Sequence, residues 1–329
     1  MLERNYNMKY LKRINESLNS KALTKEEVIE LLKKNCQKFL SNFEKYEDSL
    51  IYRKDEDRGD FVLVNPKLST TERIAPYSAT NFHNLLISNL DSWRGWPRRN
   101  KSLVFASERR ALSHGAGFIK GGRAVNYVVI PYDTTKLATG DRSDFWECFG
   151  KLPNRAAFRS ESSRPSISYY MTSLMRDLKA VQNVYDPTPF QHTSSGTDSY
   201  GKTFSREMTI PGKWIQKYEP DGVNTDWSKM KSLLESVEID ERMIQKYFKV
   251  KGIIMWDPNK NLLENLNKLL DPTFNNFKLG DATMTMDLYS QLDPDDEDYT
   301  KNSLESWCED EVILIKLDLL DTILNEINL

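Results

Sequence analysis

The sequence predicts an α+β fold with long insertions between its later strands, and three observations lead there. Segments of strand and helix character alternate along the whole chain. The 329 residues, 39% of them hydrophobic, suffice for one large domain or two ordinary ones with a real core. No internal repeat is visible, which argues against a solenoid or propeller.

The elements follow in order. Residues 8–18 and 24–47 read as helices, the second being the clearest in the chain. Thr24 and Glu27 have capping-box spacing, and Val28, Leu31, Leu32, Cys36, Phe39, Leu40 and Phe43 recur with helical period. Residues 46–60 are charged and read as a connector, and 61–64 as a short strand. The segment 70–77 is extended around Arg73, and 81–90 is an amphipathic helix with Phe82, Leu85, Leu86 and Leu90 inward. Then come a strand at 102–107, a short helix near 109–114, a strong strand at 124–132 and a short aromatic helix at 143–152. A helix at 168–184 precedes 185–202, which is rich in Ser, Thr, Gly and Pro and reads as a long exposed loop. Residues 204–210 are a strand, 227–248 helical, 250–256 a strand and 259–270 a helix. Residues 281–303 are acidic and mostly loop, 309–316 is the last strand and 317–327 a closing helix.

Composition narrows the class. No run of about 18 apolar residues marks a membrane span, and the first residues lack the apolar core of a signal peptide, so a cytoplasmic protein without a membrane partner is expected. Three distant cysteines, Cys36, Cys148 and Cys308, suit reduced core thiols better than a disulfide framework or zinc site. Net charge is −2, yet residues 91–123 hold eight Lys/Arg against two Asp/Glu, and 281–311 hold eleven Asp/Glu against one Lys. Either the two stretches meet, or both are solvated faces. The patterns GxGxxG, GxSxG, HExxH and CxxC are all absent from the sequence.

The chain is organised around 101–117, KSLVFASERRALSHGAG, a short buried strand running into a small-residue turn. Ser102 and Ser107 flank its apolar middle. Their hydroxyls, with the Phe105 ring, suit an amide ligand, although Ser107 equally suits a helix cap. Arg73 offers two donors to a phosphate, or a surface ion pair. Glu309 and Glu311 sit two apart, so on a strand they share a face and can divide roles, unless they form only a polar strand entrance. WRGWPRR (93–99) carries stacking and cationic groups that suit nucleic acid, or plain packing.

Taken in order, an arginine on an early strand, a strand ending FAS and a glutamate opening a late strand resemble the mono-ADP-ribosyltransferase superfamily. SLVFASERRALSHGAG is similar to the polymerase-like branch where a strand meets a Ser/Ala-rich helix, and EDEVILI to the late glutamate strand. The wider set, RIAPYSATNF, WPRRNKSLVFAS, YVVIP and SDFWECF, resembles phage and large-virus proteins of that superfamily. The resemblance covers roughly 61–152 and 305–317.

It implies a split β-sandwich core over 61–329, with a helical N-terminal region (1–60) and a mostly helical insertion at about 160–300. It implies NAD as substrate and transfer of ADP-ribose to a protein or nucleic-acid acceptor, as an effector in a host cytoplasm. The roles it implies are Arg73 on a phosphate or ribose, Ser107 or Ser102 supporting that arginine or the catalytic glutamate, and Tyr77 or Phe105 against nicotinamide. Glu311 would be the catalytic carboxylate and Glu309 would orient the acceptor. The alternatives are a non-catalytic interaction or virion protein on the same fold, and a nucleic-acid binder using 93–123.

Overall fold

The computed structural model describes residues 19–69, 82–107, 124–153, 167–181, 190–197, 203–210, 227–293 and 303–327. The chain divides into two compact units. One comprises Leu90–Phe149, Leu270–Leu329 and the chain up to Ile74; the other comprises Ala75–Asn89 and Gly150–Leu269. The fold is α+β, as expected.

The first unit is built on an antiparallel sheet of nine strands. In chain order these are β1 (Ser20–Ala22), β2 (Tyr52–Glu56), β3 (Phe61–Val64), β4 (Leu103–Ala106), β5 (Ala124–Pro131) and β6 (Leu137–Thr139). Three more strands, Lys278–Gly280, Glu305–Cys308 and Val312–Lys316, are β11, β12 and β13; β7–β10 belong to the second unit. The spatial order is β1-β3-β13-β5-β2-β4-β12-β6-β11.

Two facts show that this sheet is parted and curled. β2 pairs with β5 over its whole length but with β4 only at Tyr52–Ala106. A five-stranded part and a four-stranded part are therefore joined by one residue pair. Second, β12 and β13 stand four strand spacings apart, about 19 Å in a flat sheet. The three residues Glu309–Glu311 join them, and that link reaches about 14 Å at most. The two parts must fold toward one another for the chain to close.

Residues 127–130 of β5 and 312–315 of β13 are fully buried, which explains their unbroken apolar pattern. Helices α1 (Lys25–Asn35) and α2 (Gln37–Tyr46) place Val28, Leu32, Cys36 and Phe39 in the same core. The N-terminal helices are thus part of the sheet's unit and not a separate region. The capping box forms: Glu27 N donates to Thr24 Oγ1 at 3.2 Å, and Thr24 N donates to Glu27 Oε2 at 2.8 Å. The expected single helix breaks at Cys36 because Asp133, in the turn after β5, caps the second half. Its carboxylate accepts from Gln37 N and Lys38 N at 3.0 and 2.8 Å, while its own N–H donates to Asn35 O at 2.7 Å.

Other expectations change with the ladder. The charged connector at 46–60 contains the central strand β2, whose Asp55 pairs with Arg53 on the same strand and with Arg58 just after it. The last strand begins at Val312, and a separate strand, β12, precedes it. The acidic loop contains a helix at Ala282–Tyr289, capped by Asp281, which accepts from Met284 N at 3.1 Å. The aromatic helix at 143–152 is a single 3-10 turn, Phe145–Glu147. The helices expected at 8–18 and 109–114 and the strand at 70–77 lie outside the described residues.

In the second unit, α3 (Phe82–Ile87) and α4 (Ile167–Val181) pack together. The expected loop at 185–202 contains β7 (Phe190–Thr197), paired over eight residues with β8 (Thr203–Ile210). Backbone pairing makes that ladder, so a polar sequence need not show it. Helices α5 (Trp227–Ser236), α6 (Glu241–Tyr247) and α7 (Leu262–Leu269) follow. Between α6 and α7, β9 (Lys249–Val250) and β10 (Ile253–Ile254) turn at Lys251-Gly252, both with positive φ.

Candidate active site

The parting of the sheet is where charged side chains and strand ends meet. Tyr52 of β2 pairs with Ala106 of β4, and Ala106 pairs on its other side with Glu305 of β12. This row of three residues crosses three adjacent strands.

Arg53, next to Tyr52, spans the parting. Its Nη1 donates to Val104 O on β4 at 2.6 Å, and its Nε donates to Asp55 at 2.9 Å. Burial pushes the Asp55 pKa up, but the Arg53 and then the Arg58 guanidinium outweigh it and leave the carboxyl below its ordinary range. Arg53 is therefore held in place between a carboxylate on its own strand and a carbonyl on the next.

Ser107, next to Ala106, is locked to β12. Its N–H donates to Leu304 O at 3.2 Å, and its Oγ accepts from Leu304 N at 2.9 Å. Within the described residues this serine continues a strand ladder; the helix it was expected to cap lies outside them.

Glu305 forms a buried ion pair. Arg99 donates to its Oε1 from Nε at 2.9 Å, and Nη2 lies 2.7 Å from the same oxygen. Phe145 N–H reaches Oε2 at 3.4 Å, and the Arg99 guanidinium lies 5.5 Å from the centre of the Phe145 ring. Both charged residues are under 10% exposed. Asp144 adjoins the pair. The residue is exposed overall, but its carboxyl loses hydration against the protein and faces the Glu305 charge, so its pKa rises to about 6.

The sequence-predicted residues are distributed as follows. Arg73 and Tyr77 lie outside the described residues. Phe105 is 3% exposed in the hydrophobic core, so its ring has core neighbours on the face a nicotinamide would need. Ser102 just precedes β4 and donates from Oγ to Arg98 O at 2.7 Å. Glu309 is gripped by Arg98, whose backbone N–H and guanidinium both reach it, the latter at 3.0 and 2.8 Å. Glu311 accepts from Asn65 Nδ2 at 3.1 Å.

The structure does not bring Ser107 and Glu311 together. Because β4 and β12 run antiparallel, Ser107 meets Leu304 at the start of β12. Glu309 lies five residues on, about 16 Å along an extended chain, and Glu311 beyond that. Nor do Glu309 and Glu311 share a strand face, since both lie in the link between β12 and β13. Ser102 is the serine at the Glu309 end. The sequence reading missed Glu305 because two strands end the domain where one was read, and missed Arg53 because β2 was read as a connector. The available signal was the run Leu304–Cys308, a short apolar stretch opening on a glutamate before the EDE turn.

The basic and acidic stretches do meet, through Arg98–Glu309 and Arg99–Glu305. That engages two of the groups a nucleic acid would need. Trp93 is buried among Phe145, Phe149 and Phe277, and Trp307 Nε1 donates to Pro97 O at 2.9 Å. Trp93, Pro97 and Arg99 of WRGWPRR are therefore buried, while Arg94 and Arg98 stay exposed.

Among the described residues no group of His, Cys, Asp and Glu side chains is arranged to hold a metal ion, and no helix is long and apolar enough to cross a membrane. No family model, curated protein or solved structure matches the chain.

Proposed function

We propose that the chain is an NAD-dependent ADP-ribosyltransferase with a split β-sandwich core, and that Glu305 is its catalytic carboxylate. One observation carries the reading. Glu305, a buried carboxylate held by Arg99, opens a late strand in the row Tyr52–Ala106–Glu305 where the sheet parts, while Arg53 and Ser107, each one residue from that row, take the opposite face of the sheet. The FAS strand pairs with a late strand that opens on a glutamate, with Glu305 in the place first given to Glu311; Arg73 lies outside the described residues.

The chemistry follows from charge. The glycosidic bond between nicotinamide and ribose C1′ breaks, and its electron pair leaves with nicotinamide, which becomes neutral. Positive charge develops on the ribose. Glu305 stabilises that charge more than the ground state and accepts a hydrogen bond from a ribose hydroxyl; Arg99 occupies its Oε1, and among the described residues Oε2 has only the long Phe145 contact. Arg73 keeps the role on a phosphate or the ribose that the resemblance implies. A nucleophile on a protein or nucleic acid, or water, bonds to C1′ and gives its proton to solvent.

The test is nicotinamide release from NAD by the purified chain, with melting temperature recorded for each variant. Glu305→Gln is expected to lower kcat by about two to three orders of magnitude. Wild-type protein that neither binds NAD nor releases nicotinamide would sink the proposal and leave an interaction protein on this fold. A Glu305→Gln variant at full activity, with Glu311→Gln inactive, would return the catalytic role to Glu311.

A further inference from the structure

Arg99 is the residue best placed to govern Glu305, and no part of the ADP-ribosyltransferase resemblance assigns it a role. It reaches Glu305 from the 3-10 turn Arg99–Lys101, just before β4. Two of its donors converge on one carboxylate oxygen, at 2.9 and 2.7 Å. The guanidinium is backed by the Phe145 ring, and the amide of that same residue points to the other carboxylate oxygen. Glu305 N in turn donates to Arg142 O, and Gly140 N donates to Glu305 O, so the backbone beneath the carboxylate is fixed as well.

A carboxylate this buried is held on only one side by charge. Among the described residues Arg99 is the cation that forms an ion pair with it, and Asp144 stands nearby as a second carboxylate. A surface ion pair contributes little, but removing one partner of a buried pair leaves the other charge uncompensated. The geometry therefore does more than stabilise: it selects one rotamer of Glu305 and leaves Oε2 as the oxygen free for a ligand.

We propose that Arg99 is a positioning residue for Glu305, holding Oε1 in a two-donor grip so that Oε2 alone is presented to the ribose hydroxyl. This rests on the ADP-ribosyltransferase reading. Lysine cannot replace it, because one ammonium cannot reproduce a planar fork.

The experiment is a double-mutant cycle on nicotinamide release, using Arg99→Lys, Arg99→Met, Glu305→Gln and the pair Arg99→Met/Glu305→Gln. The pair leaves no buried charge unmatched and folds even where Arg99→Met alone is too unstable to assay. Positioning predicts that Arg99→Lys lowers kcat about tenfold with KM changed less than about twofold, because a misaimed carboxylate weakens only the transition state. It also predicts that the pair is no slower than Glu305→Gln alone. Inactive wild-type protein would overturn the enzyme reading and the positioning role together. Active wild-type protein overturns the positioning role alone if Arg99→Lys raises KM with kcat intact, or if the losses in the cycle add.

Discussion

Asp144 stands one residue before the amide that reaches Glu305, and this neighbourhood gives the folded protein a pH dependence of definite sign. Its folded pKa of about 6 lies above its ordinary value of 3.8. The folded state then keeps a proton that the unfolded chain has lost, so this residue's contribution to stability falls as pH rises from about 4 to about 6. Asp144→Asn, which can still cap the turn at Trp146 N, should remove that fall; melting temperatures at pH 4.5 and 7 in both proteins check it. Asp55 has the opposite sign. Its lowered pKa stabilises the fold above its ordinary value, and the contribution is lost as pH falls below it. Gly140 is a steric requirement of the same neighbourhood. A Cβ there would overlap Cys148 Sγ, so Gly140→Ala should cost about 1–3 kcal/mol in urea unfolding, and Gly140→Ala/Cys148→Ala should recover part of it.

The caps show how far an element can be read locally. The start of α1 was legible because its box lies within four residues, and Thr24→Ala should cost about 1 kcal/mol. The division between α1 and α2 was not legible, because Asp133 lies 96 residues from Gln37. Asp133→Ala leaves Gln37 N and Lys38 N without their acceptor and should cost about 1–2 kcal/mol, measured by urea unfolding. β5 and β13 announced themselves as unbroken apolar runs. β2 and β7 did not: a strand can satisfy its backbone in a ladder while its residues stay charged or polar. The missed β12 had the largest consequence, since it opens on Glu305.

At the scale of the first unit, one core joins the N-terminal helices to the sheet. Leu32 of α1 and Ile313 of β13 are both fully buried in it. Leu32→Ala should therefore lower stability by about 2–5 kcal/mol and shift the near-ultraviolet signal of the buried Trp307 together with the helical signal. Separate transitions would show that α1 and α2 unfold apart from the sheet. The short link from β12 to β13 acts at this scale too, since it draws together strands that the spatial order sets far apart.

The sequence by itself determined the α+β class, the capped first helix, the two apolar strands at the centre and the FAS strand with its serine. These follow from local periodicity and capping chemistry. Only the tertiary structure decided which segment pairs with that serine. Pairing register is set between segments two hundred residues apart, and antiparallel pairing puts Ser107 beside Leu304 and Glu305 while carrying Glu311 past the far end of β12.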